Sequence, residues 1–219
     1  MTNEGTTFVP KNLNSLKGVY DFIQAQFPAL SHQQFSKISH YYLQDIHSTK
    51  PYPNATRYWR PASKAYGEMR YNCPGIAMST AYADAGVPSW NYHYSVLDPE
   101  DEASGLGVYH VVELNAIWGP EHVWYSDSIE DPPPASYYTS NAPIIPVVQG
   151  YWTSFIKSFD PNEYRYPGTP EWETWGAGRR CRGHQRLFIR TGETRMESVP
   201  GDQRERCDYL TSIGVELTQ

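Results

Sequence analysis

Only two stretches of this 219-residue chain carry a β pattern, and that shortage limits what it can fold into on its own. The segment from Ser89 to Val96 follows Pro88 and alternates aromatic with polar side chains, the signature of a half-buried strand. The run Arg186-Leu187-Phe188-Ile189-Arg190 reads as a second, short strand. Helical patterns fill much of the rest. Apolar residues at Leu16, Val19, Tyr20, Ile23 and Phe27 predict a helix from Leu13 to about Gln26, stopped by Pro28. Ser31 and Gln34 form a capping-box pattern that opens a second helix through about Tyr42. A third is expected from Pro74 to Ala85, ended at Gly86. Further helices are expected over His110 to Trp118, Ile144 to Phe159 and Asp202 to Leu217. Residues 48–62, the acidic run from Asp98 to Glu102, and the proline-rich stretch 126–143 read as loops. The order helix, helix, helix, strand, helices, strand, helix holds too few strands for a self-sufficient α/β sheet. The strand at 90–96 is therefore expected to present an unpaired edge, which favours association or poor solubility.

Composition decides whether such a chain folds at all. Aliphatic residues are scarce, but aromatics make up 15% of the chain, with 7 Trp, 18 Tyr and 7 Phe. Rings bury large areas, so a folded, aromatic-rich core is the expectation. The net charge of −6 leaves no electrostatic footprint for nucleic acid, and basic residues cluster only at Arg179, Arg180 and Arg182. No apolar run approaches the roughly 20 residues a membrane helix needs. The first residues show neither a basic nor an apolar signal-peptide region. Three cysteines, Cys73, Cys181 and Cys207, are too dispersed for a zinc ribbon and permit one bridge in any of three pairings. Asn54-Ala55-Thr56 is a glycosylation triplet that matters only on a secretory route.

Chemistry-bearing residues are few. His110 could act as a general base, because imidazole titrates near neutral pH. A lone loop histidine is ordinarily only solvated. His110 and Glu113, spaced His-x-x-Glu, could instead share a metal with a distant ligand such as His184, although this pattern recurs by chance. Glu4 near a terminus would ordinarily be a charge on a frayed end. Here Gly5 suggests a turn, and Phe8, Val9 and Pro10 look anchored.

Several segments, in order along the chain, then carry a resemblance. Asn-Glu-Gly-Thr-Thr-Phe at 3–8 and Gly-Val-Tyr-His-Val-Val-Glu-Leu at 107–114 with Trp118-Gly119 are two of them. Tyr71-Asn72-Cys73-Pro74, the segment Val87 to Tyr92, Gly150 to Phe155 with Asp160-Pro161-Asn162, and Arg206-Cys207-Asp208-Tyr209 are the others. Together they resemble the last third of a type B carboxylesterase or lipase, the cholinesterase branch of the α/β-hydrolases. The fold class implied is α/β, the C-terminal part of an α/β-hydrolase with an incomplete sheet and mostly helices and long loops, spanning 1–219 as one segment. The resemblance makes Glu4 the triad acid and His110 the base, gives Glu113 a structural role in holding the loop, and pairs Cys73 with Cys207, leaving Cys181 over. It implies a small-molecule carboxylic ester as substrate, with no cofactor, metal, nucleic acid or membrane span. The family is largely secreted. Two positions depart from its pattern: Val111 stands where glycine usually follows the histidine, and Asn3 where Asp often precedes the acid.

One element is missing from the sequence. In α/β-hydrolases the triad runs serine, acid, histidine, with the serine in a Gly-x-Ser-x-Gly turn. No serine in the 219 residues has glycine at both −2 and +2, and no two glycines are adjacent to form an oxyanion loop. Ala77-Met78-Ser79-Thr80-Ala81 is a poor substitute, because it does not follow a strand and lies after the acid. The expectation is a hydrolase portion that carries acid and base but no nucleophile and is inactive alone. The alternative is a non-catalytic remnant that uses its surplus of Trp and Tyr for binding.

Overall fold

The computed structural model describes residues 2–48, 51–123, 132–176 and 184–218. Cys181 and the arginines at 179, 180 and 182 lie outside them, as do residues 126–131 of the expected proline-rich loop.

Helix α1 spans Leu16–Gln26 and starts later than Leu13, because the Ser15 side chain caps it by accepting from the Gly18 N–H. Helix α2, His32–Tyr42, opens with the expected capping box: Ser31 Oγ accepts from the Gln34 N–H, and the Gln34 side chain accepts from the Ser31 N–H. A long helical stretch follows in three parts. Helix α3 is Trp59–Gly67, a π-turn covers Glu68–Asn72, and α4 is Cys73–Asp84. The start of α3 at Trp59 corrects the loop expected at 48–62. Pro61 falls in its first turn, where a helix needs no N–H donor. Helix α4 ends as expected, with Gly86 at φ +73°.

Strand β1 is Tyr92–Tyr94, β2 is Gln185–Ile189 and β3 is Arg195–Ser198. They form one three-stranded sheet in the order β1-β2-β3. β1 runs parallel to β2 with His93 opposite Phe188, and β3 runs antiparallel to β2 with Leu187 opposite Met196. β1 is shorter than the strand expected at 89–96, and it is an edge with β2 as its one neighbour among the described residues. β3, rich in charge and half exposed, has no apolar alternation to announce it.

Between β1 and β2 the acidic run is a helix rather than a loop. Helix α5, Pro99–Ser104, is capped by Asp98, which accepts from the N–H groups of Glu100 and Asp101, and is closed by Gly105 at φ +83°. Proline at the first helical position, acids in the first turn and a closing glycine are helix signals that the charge run had disguised. Helix α6, Leu114–Trp118, is shorter than expected, because residues 110–113 form the turn that carries His110. Helix α7, Ile144–Ser158, agrees with the sequence pattern. Its buried face is Ile144, Val148, Tyr151 and Ser154, whereas Phe155, Ile156 and Phe159, which form an apolar stripe at helical spacing, point outward at 44%, 69% and 78% exposure. Helix α8 is Gly201–Ser212.

Two apolar clusters hold these parts. One gathers Ile23, Phe27, Ile38, Trp59, Met69 and Leu210 from α1, α2, the long helical stretch and α8. The other packs Tyr94, Leu187 and Ile189 of the sheet against Ala116, Val148 and Tyr151 of α6 and α7. A disulfide between Cys73 and Cys207 joins the start of α4 to α8.

Candidate active site

Glu4 begins a single 3₁₀ turn, Glu4–Thr7, pressed onto α3. The approach is so close that a Cβ on Gly5 would lie 2.0 Å from the Ser63 carbonyl oxygen, and one on Gly67 would lie 2.9 Å from the Gly5 nitrogen. Glycine at both places lets the two backbones touch and buries the Glu4 carboxylate, which is 7% exposed. The preceding residue fixes the turn to a second segment. Asn3 donates its N–H to the Val108 carbonyl at 2.9 Å and accepts from the Val108 N–H through Oδ1 at 3.0 Å. Thr6 Oγ1 adds a bond to the Leu106 carbonyl at 2.9 Å. Gly107, at φ +64°, leaves room for the Asn3 side chain. Asn3, a departure from the family pattern, therefore does its work through an oxygen that an aspartate would also offer.

These ties deliver His110 to Glu4. Nδ1 of the imidazole lies 2.6 Å from Glu4 Oε2, across 106 positions of sequence. The His110 side chain keeps 31% of its surface, so the ring has a buried side and an open side. Tyr71 lies against it with ring centroids 4.5 Å apart, and Phe8 meets it edge-on at 5.2 Å. The next residue, Val111, is held at φ +65°. That conformation suits glycine and strains a β-branched side chain, which gives the physical reason for the glycine expected there.

Glu113 stands one turn further, at the start of α6. Its Oε1 accepts a long bond of 3.4 Å from the Tyr92 hydroxyl of β1, and its buried Oε2 has no hydrogen-bond partner among the described residues. Burial, reinforced by the Glu4 charge, pushes the Glu113 carboxyl above the usual carboxylate range. Burial and the charges of Glu113 and Glu4 likewise push the Tyr92 phenol up.

The chemical reading of the pair follows from its geometry. A carboxylate on Nδ1 holds the proton there and leaves Nε2 as the basic nitrogen, and it stabilises the imidazolium formed when Nε2 takes a proton. Among the described residues, His110, Glu113 and His184 do not gather as a set of metal donors. The imidazole of His184 packs on Trp175 at 5.3 Å. Glu68, Cys73 and Cys207 bring donor atoms together, but both sulfurs are spent in the disulfide and Glu68 is bound to Arg206. A second histidine–carboxylate pair was not foreseen. His93 Nδ1 lies 2.8 Å from Glu197 Oε1, which also accepts from Arg186 Nε at 2.7 Å. Strand alternation, which sends His93 to the face opposite Tyr92 and Tyr94, is the signal that could have found it.

No family model matches the sequence. Secreted lipase 4 of Gibberella zeae is 25% identical over 201 residues, covering 90% of this chain and 32% of that protein. Liver carboxylesterase 1 of Mus musculus is 24% identical over 110 residues, covering 49% of this chain and 18% of that one. The crystal structure of Aspergillus niger EstA superimposes with a TM-score of 0.84 at 34% identity, covering 100% of this chain and 39% of EstA. The chain is thus similar to the type B carboxylesterases and lipases over part of their length. Its architecture, mostly helices around a small sheet, is part of an α/β-hydrolase esterase fold. It spans about a third of the length of the first of these relatives. Sequence reasoning singled out Glu4, His110, Glu113, Cys73 and Cys207; the fold sets Glu4 against His110 and Glu113 against Tyr92, and it joins Cys73 to Cys207 in a disulfide between α4 and α8. It missed Tyr71 and Phe8 as the rings flanking His110, since nothing in their spacing points to an imidazole.

Proposed function

We propose that Glu4 and His110 are the acid and base of an acyl-transfer triad that hydrolyses small-molecule carboxylic esters. The nucleophilic serine and the oxyanion donors would be supplied by residues outside these 219. The observation that carries this reading is the 2.6 Å contact between Glu4 Oε2 and His110 Nδ1. In this scheme His110 Nε2 takes the serine proton as Oγ attacks the ester carbonyl carbon. It returns that proton to the departing alcohol, then repeats the cycle with water to release the acid. Glu113 would brace the His110 turn against β1. The chain alone would be inactive, because the acyl-enzyme route is closed without a nucleophile, and each lost oxyanion donor removes roughly 2.7–4 kcal/mol of catalysis. The open side of β1 would pair with a strand of the nucleophile-bearing part, within one larger carboxylesterase domain.

A graft tests this. The 219 residues are joined after the serine-bearing portion of Aspergillus niger EstA, and hydrolysis of a short nitrophenyl ester is followed. We expect an active graft whose kcat falls roughly 10⁴-fold in His110→Ala and in Glu4→Gln. The unjoined chain should hydrolyse the ester no faster than its own His110→Ala variant. A graft indifferent to both substitutions, or an unjoined chain whose activity needs His110, defeats the proposal.

A binding role without catalysis is favoured by one observation, an open groove of about 400 Å³ lined by Trp90, Trp152, Phe155 and Trp172. It becomes the better reading if the active-site substitutions leave the graft unchanged.

A further inference from the structure

We infer that Tyr71, carried on the π-turn at Glu68–Asn72, is a positioning residue that sets the plane of the His110 imidazole. The inference rests on the acid–base reading of Glu4 and His110 and deepens it.

A hydrogen bond from Nδ1 to Glu4 fixes one point of the ring but not its rotation about that point. A ring lying across the imidazole fixes the plane. Tyr71 does so at a centroid distance of 4.5 Å and an interplanar angle of 34°. Phe8 closes the arrangement by meeting the imidazole edge-on, at 61°, while stacking on Tyr71 at 5.7 Å. Phe8 is itself tied to the acid's own turn, through its N–H to the Gly5 carbonyl. The imidazole therefore joins a three-ring cluster, in contact with one ring on the Glu4 turn and with another on the long helical stretch.

The π-turn explains how Tyr71 reaches that place. Glu68 faces α8, where it accepts two bonds from Arg206, and it is 5% exposed. In an α-helix a residue three positions on lies on nearly the same face. A regular helix would thus draw Tyr71 toward the side that Glu68 occupies. The wider π-turn opens the angle between them, so one segment serves α8 through Glu68 and His110 through Tyr71. Burial, with the neighbouring Tyr66 and Glu4, pushes the Tyr71 phenol up, so it acts as a neutral ring.

The test reads the Nδ1–H proton of His110 by NMR in the full 219-residue chain labelled with ¹⁵N-histidine. We expect a strongly deshielded resonance that exchanges slowly with water. Tyr71→Phe keeps it, because the ring is retained. Tyr71→Leu, or Tyr71→Met if the leucine variant loses its near-UV dichroism, raises the exchange rate roughly three- to tenfold, the range that loss of one ring contact allows. Exchange unchanged in the truncated variant overturns the inference. So does a Tyr71→Phe protein that exchanges as fast as the truncated one, since the hydroxyl would then be the active group. Absence of the deshielded proton from the unsubstituted chain, or its survival in Glu4→Gln, overturns the Glu4–His110 pairing itself and the inference with it.

Discussion

Arg206 holds Glu68 by two parallel hydrogen bonds, Nε to Oε2 at 2.7 Å and Nη2 to Oε1 at 2.8 Å, although 138 residues separate them. Tyr42 donates to the same carboxylate at 2.6 Å, and Asp202 receives the remaining arm of the guanidinium at 2.7 Å. Burial works to lower the Arg206 pKa, but these bonds prevail and hold it above its ordinary value. Removing one partner strands the other charge. Arg206→Met should cost about 3 kcal/mol or more in urea unfolding, whereas the double change Glu68→Met/Arg206→Met should recover most of the loss. A single variant as stable as the parent would contradict this account.

Gly5 admits no side chain, because its Cβ position falls on the Ser63 carbonyl. That carbonyl and the Gly67 nitrogen, 3.0 Å from the same position, are backbone and cannot swing aside. Gly5→Ala should therefore cost about 2 kcal/mol or more and push the Glu4 turn away from α3. Thermal unfolding measures the first effect, and loss of the His110 Nδ1–H resonance measures the second. An alanine variant with both properties intact would show that the turn is more tolerant than its contacts suggest.

Val111 offers the opposite case. Its φ of +65° is costly for valine and free for glycine. Val111→Gly should raise stability by about 1 kcal/mol after the added freedom of the unfolded glycine is deducted, which for a chain of this size is a few degrees in Tm. Calorimetry decides the matter, and a lowered Tm would refute the strain.

Asp101 carries a pH dependence. Burial, followed by the charges of Asp98 and Glu100, raises its carboxyl to about 6 from 3.8, and its buried Oδ2 has no hydrogen-bond partner among the described residues. The folded pKa lies above the unfolded one, so the folded state is penalised at pH values above 6, and the penalty fades as pH falls toward 3.8. Asp101→Asn should then stabilise the protein by about 1 kcal/mol at pH 7.5, a figure discounted for solvent screening because the residue is only half buried, and by little at pH 4. Denaturation at both pH values is the measurement. A gain that is equal at the two would assign the effect to something other than charge.

How much of this could be read from the sequence depends on the kind of signal. The Ser31–Gln34 box and the Gly86 stop are local chemistry, and the helices they punctuate are where the pattern put them. Asp98, Pro99 and Gly105 were equally local, but a run of charge drew attention away from cap and stop. The π-turn left no trace, since it arises from packing demands on Glu68 and Tyr71 that come from opposite sides. Glu4 and His110 could be named through ordered motif matches, and their distance could not. That distance depends on Asn3 meeting Val108 and on Gly5 meeting Ser63, contacts between segments far apart in the chain. The outward turn of Phe155, Ile156 and Phe159 was also hidden, because periodicity reveals a stripe but not which side the core takes.

The Cys73–Cys207 bridge makes a covalent ring of the 134-residue separation between its ends, with His110 inside the ring and Glu4 outside it. A single peptide-bond cut anywhere within that ring would free no fragment. The two pieces would travel together until reductant was added, so an unreduced gel band cannot certify an uncut backbone, and an intact mass would betray the cut only by the weight of one added water. His110 can be separated from Glu4 in primary structure and still be tethered to it.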